Sequence, residues 1–297
     1  MKMDDRDVVV VGGGPAGIAA AVQLRRGGLE PLLIERDAPG GLVRNAGLVE
    51  NYPGFPDGIG GPELADLFAR QLERAGVEVS IAGVERIEYE DGLFILHMNG
   101  ETARARVVVL ATGTVPRRLE DVEISGAAAG RIYYEVHPLR GIDRKRIAIV
   151  GAGDAAFDYA LTLAPRNEVT ILGRSRKPKC IPVLGERCEK ERGITVRMGT
   201  AVESVRENSG GLDLICSSAG GERLELGADC VIVAIGRDPN LGLLGASVRE
   251  HFDDLVGAET LCLIGDVRNG SYRQTAIGVG DGVRAAMEIC GSRPDPA

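Results

Sequence analysis

Runs of aliphatic and β-branched residues alternate along this chain with segments that carry an apolar face at helical spacing. Residues 8–36 contain an apolar run, a glycine-rich turn, an amphipathic segment and a second apolar run. The same order returns at residues 147–174. The predicted helix faces consist of Ile18, Ala21 and Val22 in the first copy and of Phe157, Ala160 and Leu161 in the second. Buried parallel strands that flank an amphipathic helix are typical of βαβ units, so the chain predicts two of them.

The first copy contains the pattern G-x-G-x-x-G at Gly12, Gly14 and Gly17. Gly12 and Gly14 allow a tight turn close to a pyrophosphate, and Gly17 allows close packing of helix and strand. The helix N-terminus directs free N–H groups and its positive end toward the anion. Glu35 ends the second strand, where a carboxylate can accept a hydrogen bond from a ribose hydroxyl. These features predict a dinucleotide site; glycine turns without a ligand are the alternative.

The second copy carries Gly151 and Gly153 in the equivalent turn but has no acid at the end of its second strand. Arg174 stands there instead, and Arg176, Lys177 and Lys179 follow. A basic cluster at this position suits a 2′-phosphate, which favours NADP(H) over NAD(H). The alternative is a solvated basic loop, since Lys and Arg are common on surfaces.

The remaining pattern predicts how the chain is divided. We expect a helix at 62–75, a hairpin-like run at 77–100 with its turn at Asp91 and Gly92, and strands at 107–110, 195–198, 202–206, 213–216, 230–235 and 261–264. A C-terminal helix at 275–289 and the strand before it should return to the first sheet. The predicted fold is α/β, with two Rossmann-like dinucleotide-binding domains of the three-layer ββα type. We expect residues 1–115 and 239–297 to form one discontinuous dinucleotide-binding domain and residues 116–238 to form the second.

Composition and charge argue against several other classes of protein. The formal net charge of −8 disfavours a protein that binds nucleic acid by neutralising phosphates. The longest uncharged stretch, residues 8–24, is interrupted by glycines and is too short to span a membrane. Residues 1–7 are acidic where a signal peptide would be basic, so we expect a cytoplasmic protein. The six cysteines form no C-x-x-C, and the chain has three histidines. Both the number and the spacing of ligands are therefore insufficient for a structural zinc site, and no metal site is expected.

Several motifs in a fixed order carry a family resemblance over nearly the whole chain. They lie at residues 12–17 with Glu35, 40–41, 50–56, 111–113, 151–156, 234–236, 265–266 and 272–274. Together they resemble the low-molecular-weight thioredoxin reductase group of the FAD- and NAD(P)-dependent disulfide oxidoreductases. The resemblance implies bound FAD, NADPH on the second domain and a cytoplasmic homodimer.

The resemblance, with the glycine motifs, also implies which residues contact the cofactors. Residues expected to contact FAD are Gly12, Gly14, Pro15, Ala16, Gly17, Glu35, Arg36, Gly41, Leu42, Asn51, Thr112, Gly113, Gly265, Asp266, Arg273, Gln274 and Thr275. Residues expected to contact NADP are Gly151, Gly153, Asp154, Ala155, Arg174, Arg176, Lys179, Ile235 and Gly236. Asp266 can accept hydrogen bonds from ribitol hydroxyls, and Gln274 and Thr275 open a helix whose dipole favours a negative flavin. Simple capping is the alternative for both positions.

One family feature is missing. Thioredoxin reductases carry a C-x-x-C shortly before the second glycine motif, and the corresponding residues 133–138 read YYEVHP. No catalytic residue is therefore predicted. Residues 132–136 and 153–161 look like the thioredoxin-reductase-type ferredoxin:NADP⁺ oxidoreductases, which lack the cysteine pair. Residues 272–274 are more like thioredoxin reductases, and we expect no C-terminal segment of the kind with which those ferredoxin reductases cover the flavin.

Three functions stay open at this point. The first is an NAD(P)H oxidoreductase that passes electrons through FAD to ferredoxin, flavodoxin or a small molecule, because a flavin accepts a hydride and can release single electrons without a thiol. The second is a disulfide reductase with an external thiol or with a relocated pair, Cys180 and Cys188. The third is a non-catalytic flavoprotein that senses redox state. The first is the favoured prediction.

Overall fold

The chain folds into two compact units in the computed structural model, which describes residues 2–292 and side chains from residue 5. The first unit comprises Met1–Arg44, Val49–Val115 and Asp238–Ala297, and the second comprises Asn45–Leu48 and Pro116–Arg237. Residue 1 and residues 293–297, the two ends of the predicted FAD-binding domain, lie outside the described residues. The short segment Asn45–Leu48 groups with the second unit, which the sequence did not predict.

The described residues contain seven α-helices and four short 3₁₀ helices. The α-helices are α1 (Pro15–Arg26), α2 (Gly61–Arg74), α3 (Asp154–Leu163), α4 (Pro182–Lys190), α5 (Ala246–Glu250), α6 (Phe252–Gly257) and α7 (Thr275–Gly291). The 3₁₀ helices are Gly41–Asn45, Ala128–Arg131, His137–Leu139 and Gly265–Val267. No helix in this part of the chain is long and apolar enough to cross a membrane.

Twenty strands complete the described structure. They are β1 (Lys2–Val11), β2 (Leu32–Glu35), β3 (Leu48–Val49), β4 (Ile59–Gly60), β5 (Glu78–Ile81), β6 (Arg86–Glu90), β7 (Leu93–Met98), β8 (Glu101–Leu110), β9 (Thr114–Pro116), β10 (Glu123–Ile124), β11 (Ile132–Tyr133), β12 (Arg146–Val150), β13 (Glu168–Gly173), β14 (Ile194–Met198), β15 (Thr200–Asn208), β16 (Gly211–Ser218), β17 (Arg223–Ala228), β18 (Cys230–Val233), β19 (Arg237–Pro239) and β20 (Leu261–Leu263).

A seven-stranded sheet forms the centre of the first unit, in the order β5-β2-β1-β8-β7-β6 with β20 paired to β8. The parallel register places Val9 beside Leu32 and Val108, and Val108 beside Leu261. The C-terminal strand and helix therefore return to the first sheet as predicted. The aliphatic residues of β1 are buried on both faces, as expected for a central parallel strand.

The predicted hairpin at 77–100 is only partly correct. β6 and β7 form the antiparallel hairpin, and Asp91 and Gly92 both adopt positive φ in its turn. β5 instead pairs in parallel with β2, with Leu32 opposite Glu78. A four-residue parallel edge strand has the same local pattern as a hairpin arm, and only its distant partner distinguishes the two.

The second unit has three layers. A five-stranded parallel sheet, β11-β18-β12-β13-β14, lies beside a four-stranded sheet, β10-β15-β16-β17. Alternate residues of β12 face opposite layers: Ile147 and Ile149 pack in one cluster with Phe157 of α3, and Ala148 and Val150 pack in another with Leu214 of β16. This arrangement confirms the predicted ββα architecture. The sequence missed β17 and α4, and β18 ends at Val233 rather than at residue 235.

Candidate functional site

The first glycine turn connects β1 to α1. Gly12 has a φ of +107°, its N–H donates to the carbonyl of Ile34 across 2.8 Å, and a Cβ there would overlap the carbonyl of Ala111. A Cβ on Gly17 would overlap the carbonyl oxygen of Gly12. Gly14 is the N-cap of α1, with Pro15 as first helical residue, and no side chain caps this helix. The free end of α1 is therefore suited to an anion.

Glu35 lies against the same turn. Its Oε2 accepts a hydrogen bond from the Gly13 N–H at 2.6 Å, and its Oε1 accepts one from the Asp37 N–H at 3.0 Å. A Cβ on Gly41 would lie 2.7 Å from the Cα of Gly14. The structure therefore brings Glu35 and Gly41 to the glycine turn. The predicted residues Arg36 and Leu42 lie nearby with exposed side chains.

Arg44 contributes to this region and was missed by the sequence reasoning. Its guanidinium donates to the carbonyl oxygens of Ala38 (3.2 Å), Pro39 (2.6 Å) and Gly41 (3.1 Å). These bonds hold the loop that carries Gly41. A single arginine with backbone partners leaves no sequence signal that could have revealed this role.

The remaining predicted residues of the first unit gather near the start of α7. Gly265 begins a 3₁₀ helix that contains half-buried Asp266, and Gln274 is the N-cap of α7, which begins at Thr275. The side chain of Asn51 donates to Gln274 Oε1 at 2.8 Å. Arg273 is half-buried beside Gln274.

Thr112 and Gly113 follow β8 and contact the chain at Asn240. The Thr112 hydroxyl donates to the Asn240 carbonyl at 2.8 Å, and the Asn240 N–H donates to the Gly113 carbonyl at 3.0 Å. Ala16 connects the regions around the first turn and the start of α7, because Cβ atoms on Gly265 and Gly278 would lie 2.8 and 3.5 Å from the Ala16 Cβ.

The second glycine turn repeats the geometry of the first. The Gly151 N–H donates to the Leu172 carbonyl at 2.9 Å, and a Cβ on Gly151 would overlap the carbonyl of Ala234. Gly153 is the N-cap of α3, without a side-chain cap and with open space at its Cβ position. Ala155 in the first turn of α3 is exposed. This end of α3 also fits an anion.

The basic segment, residues 174–179, returns to this turn. The Lys179 N–H donates to the Ala152 carbonyl at 2.8 Å, and the Ile181 N–H donates to Asp154 Oδ1 at 2.8 Å. The side chains of Arg174, Arg176, Lys177 and Lys179 are exposed, and within the described part of the chain none forms an ion pair. The predicted residues Ile235 and Gly236 follow β18, and the Gly236 carbonyl accepts from the Arg117 N–H at 3.0 Å.

Glu135 lies in residues 133–138, the stretch that we expect from sequence to correspond to the family's dithiol, and it is the centre of an ionic cluster. Glu135 accepts from Arg237 Nη1 at 2.5 Å, from Asn45 Nδ2 at 2.7 Å and from the Tyr159 hydroxyl at 3.4 Å. Burial, and then the neighbouring Glu135 carboxylate, raise the pKa of Tyr159, so its phenol stays protonated as a donor. His137 is exposed and donates only its backbone N–H to Asn45. None of this cluster was predicted from sequence.

The segment Asn45–Leu48 is held by two further groups of the second unit. Asp158 Oδ2 accepts from the Gly47 N–H at 2.8 Å, and Arg140 donates to the Ala46 carbonyl at 2.6 Å. Burial raises the pKa of the Asp158 carboxyl above its usual range. Polar contacts, rather than an apolar core, therefore hold this segment.

The cysteines do not form an activated pair. Cys188 lies on α4 with 1% of its surface exposed, and burial raises the pKa of its thiol to about 11. Burial also raises the pKa of the Cys180 thiol. Because the thiolate is the reactive form, both environments oppose redox chemistry. No group of three potential metal-ligating side chains was found in the described residues.

Comparison with known proteins gives the family. Residues 6–276 match the family described as pyridine nucleotide-disulphide oxidoreductase. The NADPH-dependent thioredoxin reductase 3 of Arabidopsis thaliana is 31% identical over 95% of this chain, which spans 57% of that protein. The thioredoxin reductase of Treponema pallidum is 31% identical over 95% of both chains. A crystal structure of Lactococcus lactis thioredoxin reductase, 28% identical, superimposes with a TM-score of 0.85 over 96% of this chain and 97% of that one.

The matches extend over both units and over both glycine turns. They confirm the resemblance stated from the sequence motifs, and thioredoxin reductases use FAD together with NADPH. The chain therefore belongs to the pyridine nucleotide-disulphide oxidoreductase family and is an FAD-dependent NAD(P)H oxidoreductase of the thioredoxin reductase type.

Proposed function

We propose that this enzyme passes electrons from NADPH through FAD directly to an acceptor, without an internal disulfide. The observation that supports the proposal is the cluster around Glu135, in the stretch that we match by sequence order to the dithiol of thioredoxin reductases. A carboxylate bound to Arg237 and Asn45 has no redox chemistry. Electrons must then leave the cofactor without a thiol of this stretch.

The first unit is the FAD-binding part in this proposal. Gly12, Gly14 and Gly17 would form the cradle for the pyrophosphate, Glu35 would accept from the ribose, and Asp266 would accept from the ribitol. The other proposed contacts are Pro15, Ala16, Arg36, Gly41, Leu42, Asn51, Thr112, Gly113, Gly265, Arg273, Gln274 and Thr275. When bound, FAD supplies the ability to accept a hydride and to release electrons singly or in pairs.

The second unit is the NADPH-binding part. Gly151 and Gly153 present the uncapped end of α3 to the pyrophosphate, and the basic segment stands at the end of β13, where the 2′-phosphate is expected. The other proposed contacts are Asp154, Ala155, Ile235 and Gly236. Support comes from the bond between Lys179 and Ala152, which places the basic segment beside the glycine turn.

The acceptor in this proposal is ferredoxin, flavodoxin or a small molecule. The enzyme is expected to be a cytoplasmic homodimer. Neither nucleic acid nor a membrane is expected as a partner, in keeping with the net charge of −8.

Disulfide reduction is the second candidate, because the relatives described above are named thioredoxin reductases. It would require an external thiol or the Cys180 and Cys188 pair. The raised thiol pKa values of both cysteines weigh against that pair.

The test is NADPH oxidation with ferricyanide by the wild type and by the double variant Cys180→Ser, Cys188→Ser. We expect turnover within about twofold of the wild type and no activity toward a thioredoxin, because no thiol lies on the path. The control is Cys262→Ser with Cys290→Ser, which replaces two partly buried thiols outside that pair. Loss of turnover in the Cys180 and Cys188 variant alone, with normal flavin reduction by NADPH, would establish a thiol relay and refute direct transfer.

A further inference from the structure

Asp281 lies in the middle of α7 with a carboxylate that faces inward. Only 12% of its side chain is exposed, although it lies on a helix whose other face is open to solvent. A carboxylate at such a position costs free energy unless donors compensate for its lost hydration. Its partners therefore show what it does.

Two of these partners belong to the loop before α7. Asp281 Oδ2 accepts from the Gly265 N–H at 3.2 Å and from the Asn269 side-chain amide at 2.5 Å. The other oxygen, Oδ1, accepts from exposed Arg284 at 3.3 Å, one helical turn further along. One oxygen thus binds the loop at two points, and the other faces the surface.

This loop is the segment proposed to meet FAD. Gly265 precedes Asp266, and the Tyr272 N–H donates to the Asn269 carbonyl at 2.9 Å just before Arg273 and Gln274. Gly265 has a φ of +69°, and a Cβ there would lie 2.8 Å from the Ala16 Cβ in the first turn of α1. The bond to Asp281 therefore fixes the loop where it packs against the pyrophosphate-binding helix.

We propose that Asp281 is a positioning residue of the FAD site, whose carboxylate sets the backbone at Gly265 and Asn269 and so orients Asp266. The inference rests on the proposed assignment of the first unit to FAD. Asp281 itself is not among the residues proposed to contact FAD. Its role is to hold a glycine-dependent loop in one conformation.

The two carboxylate oxygens of Asp281 have different partners, so separate variants can test the contact with the loop and the contact with Arg284. Asp281→Ala removes the acceptor for both loop donors, whereas Asp281→Asn keeps one carbonyl oxygen that can accept from them. Arg284→Ala is the control, because it removes only the exposed partner. Asn269→Ala removes one of the two loop contacts without leaving the carboxylate fully unpaired.

The measurements are the FAD dissociation constant of the apoprotein, by flavin fluorescence, and the visible circular dichroism of the bound flavin. Hydrogen bonds to a charged group contribute about 1.5 to 3 kcal/mol, so Asp281→Ala should weaken FAD binding by about tenfold to a hundredfold and alter the flavin signal. Asp281→Asn should recover most of both, and Arg284→Ala should change neither. NADP⁺ binding by the apoprotein should be unchanged in all variants, which separates positioning from general unfolding.

The inference is overturned if Asp281→Ala binds FAD with wild-type affinity and dichroism, or if Arg284→Ala weakens binding as much. It is also overturned if Asp281→Ala lowers NADP⁺ and FAD affinity equally, since that indicates loss of fold. Should that variant fail to fold, Asn269→Ala decides, because wild-type FAD affinity and dichroism there refute the inference. Failure of the assignment itself is distinct, because Glu35→Ala, a variant at another proposed contact of the first unit, would then also bind FAD with wild-type affinity.

Discussion

The backbone N–H of Lys179 donates to the carbonyl oxygen of Ala152 across 2.8 Å. This bond joins the end of the basic segment to the glycine turn of the second unit. Arg174, at the other end of the segment, directly follows β13. We therefore expect the basic residues to differ in role, with Arg174 at the ribose end of the proposed nucleotide and Lys179 near its pyrophosphate.

This division predicts different specificity effects. Arg174→Ala should lower kcat/KM for NADPH by about tenfold to a hundredfold, the value of a charge-assisted contact, and leave NADH nearly unchanged. Lys179→Ala should lower kcat/KM for both nucleotides to a similar extent, since both carry the pyrophosphate. Steady-state kinetics with both nucleotides checks this, with Lys190→Ala on α4 as an exposed, charge-matched control. A wild type that uses NADPH and NADH equally would contradict the role of Arg174.

Glu35 gives a prediction for the first unit. Its carboxylate binds the Gly13 and Asp37 N–H groups and ends β2 at the proposed ribose position. Glu35→Ala should weaken FAD binding by about tenfold to a hundredfold, because it removes charged acceptors from both the turn and the ribose. The check is the FAD dissociation constant, with Glu73→Ala on α2 as the control because that side chain is exposed and the same charge is removed. Equal FAD affinity of Glu35→Ala and the wild type would remove Glu35 from the site.

The residues that could be identified from the sequence contact residues close to them in the chain. The residues that could not be identified contact residues far away in the chain. Gly12, Gly17 and Gly151 satisfy local demands of a strand, turn and helix that follow one another directly, so a short pattern was enough to identify them. Glu35 ends the strand that immediately follows. These local signals also predicted the two βαβ units, whereas the return of the C-terminal strand and helix was inferred because this segment has no partner nearby in sequence.

The missed features depend on distant partners. Glu135 and Arg237 are 102 positions apart, and Glu135 and Asn45 are 90 apart, so no local spacing marks their contact. Asp281 resembles any polar helix position until its inward direction is known. β5 was misread for the same reason, because its partner β2 lies more than forty positions earlier.

Close packing at Gly17 predicts a large loss of stability on adding one methyl group. A Cβ there would overlap the Gly12 carbonyl, which is held in place by the turn. Gly17→Ala should lower the free energy of unfolding by about 3 kcal/mol, the upper range for overpacking. Gly280→Ala on α7 is the matched control, because its Cβ would meet open space and helix propensity then favours alanine. Urea unfolding of both variants checks this, and equal stabilities would show that α1 can shift away from β1.

The buried thiols predict a loss of stability in alkali. Burial raises the pKa of Cys188 and of Cys230 from 9.0 to about 11 in the folded chain. A thiol with a raised folded pKa holds its proton more tightly when folded, so its contribution to stability is complete below pH 9 and decreases as pH rises toward 11. The free energy of unfolding should therefore fall over this interval, and it should fall less steeply in Cys188→Ala and Cys230→Ala than in the wild type. Urea unfolding at pH 8, 9, 10 and 11 measures the slope of the free energy of unfolding against pH.

Cys290→Ala, which replaces a less buried thiol, is the control and should keep the wild-type slope. If the Cys188 and Cys230 variants keep it as well, these two thiols do not titrate differently in the folded and unfolded chain, and the alkaline loss arises from other groups.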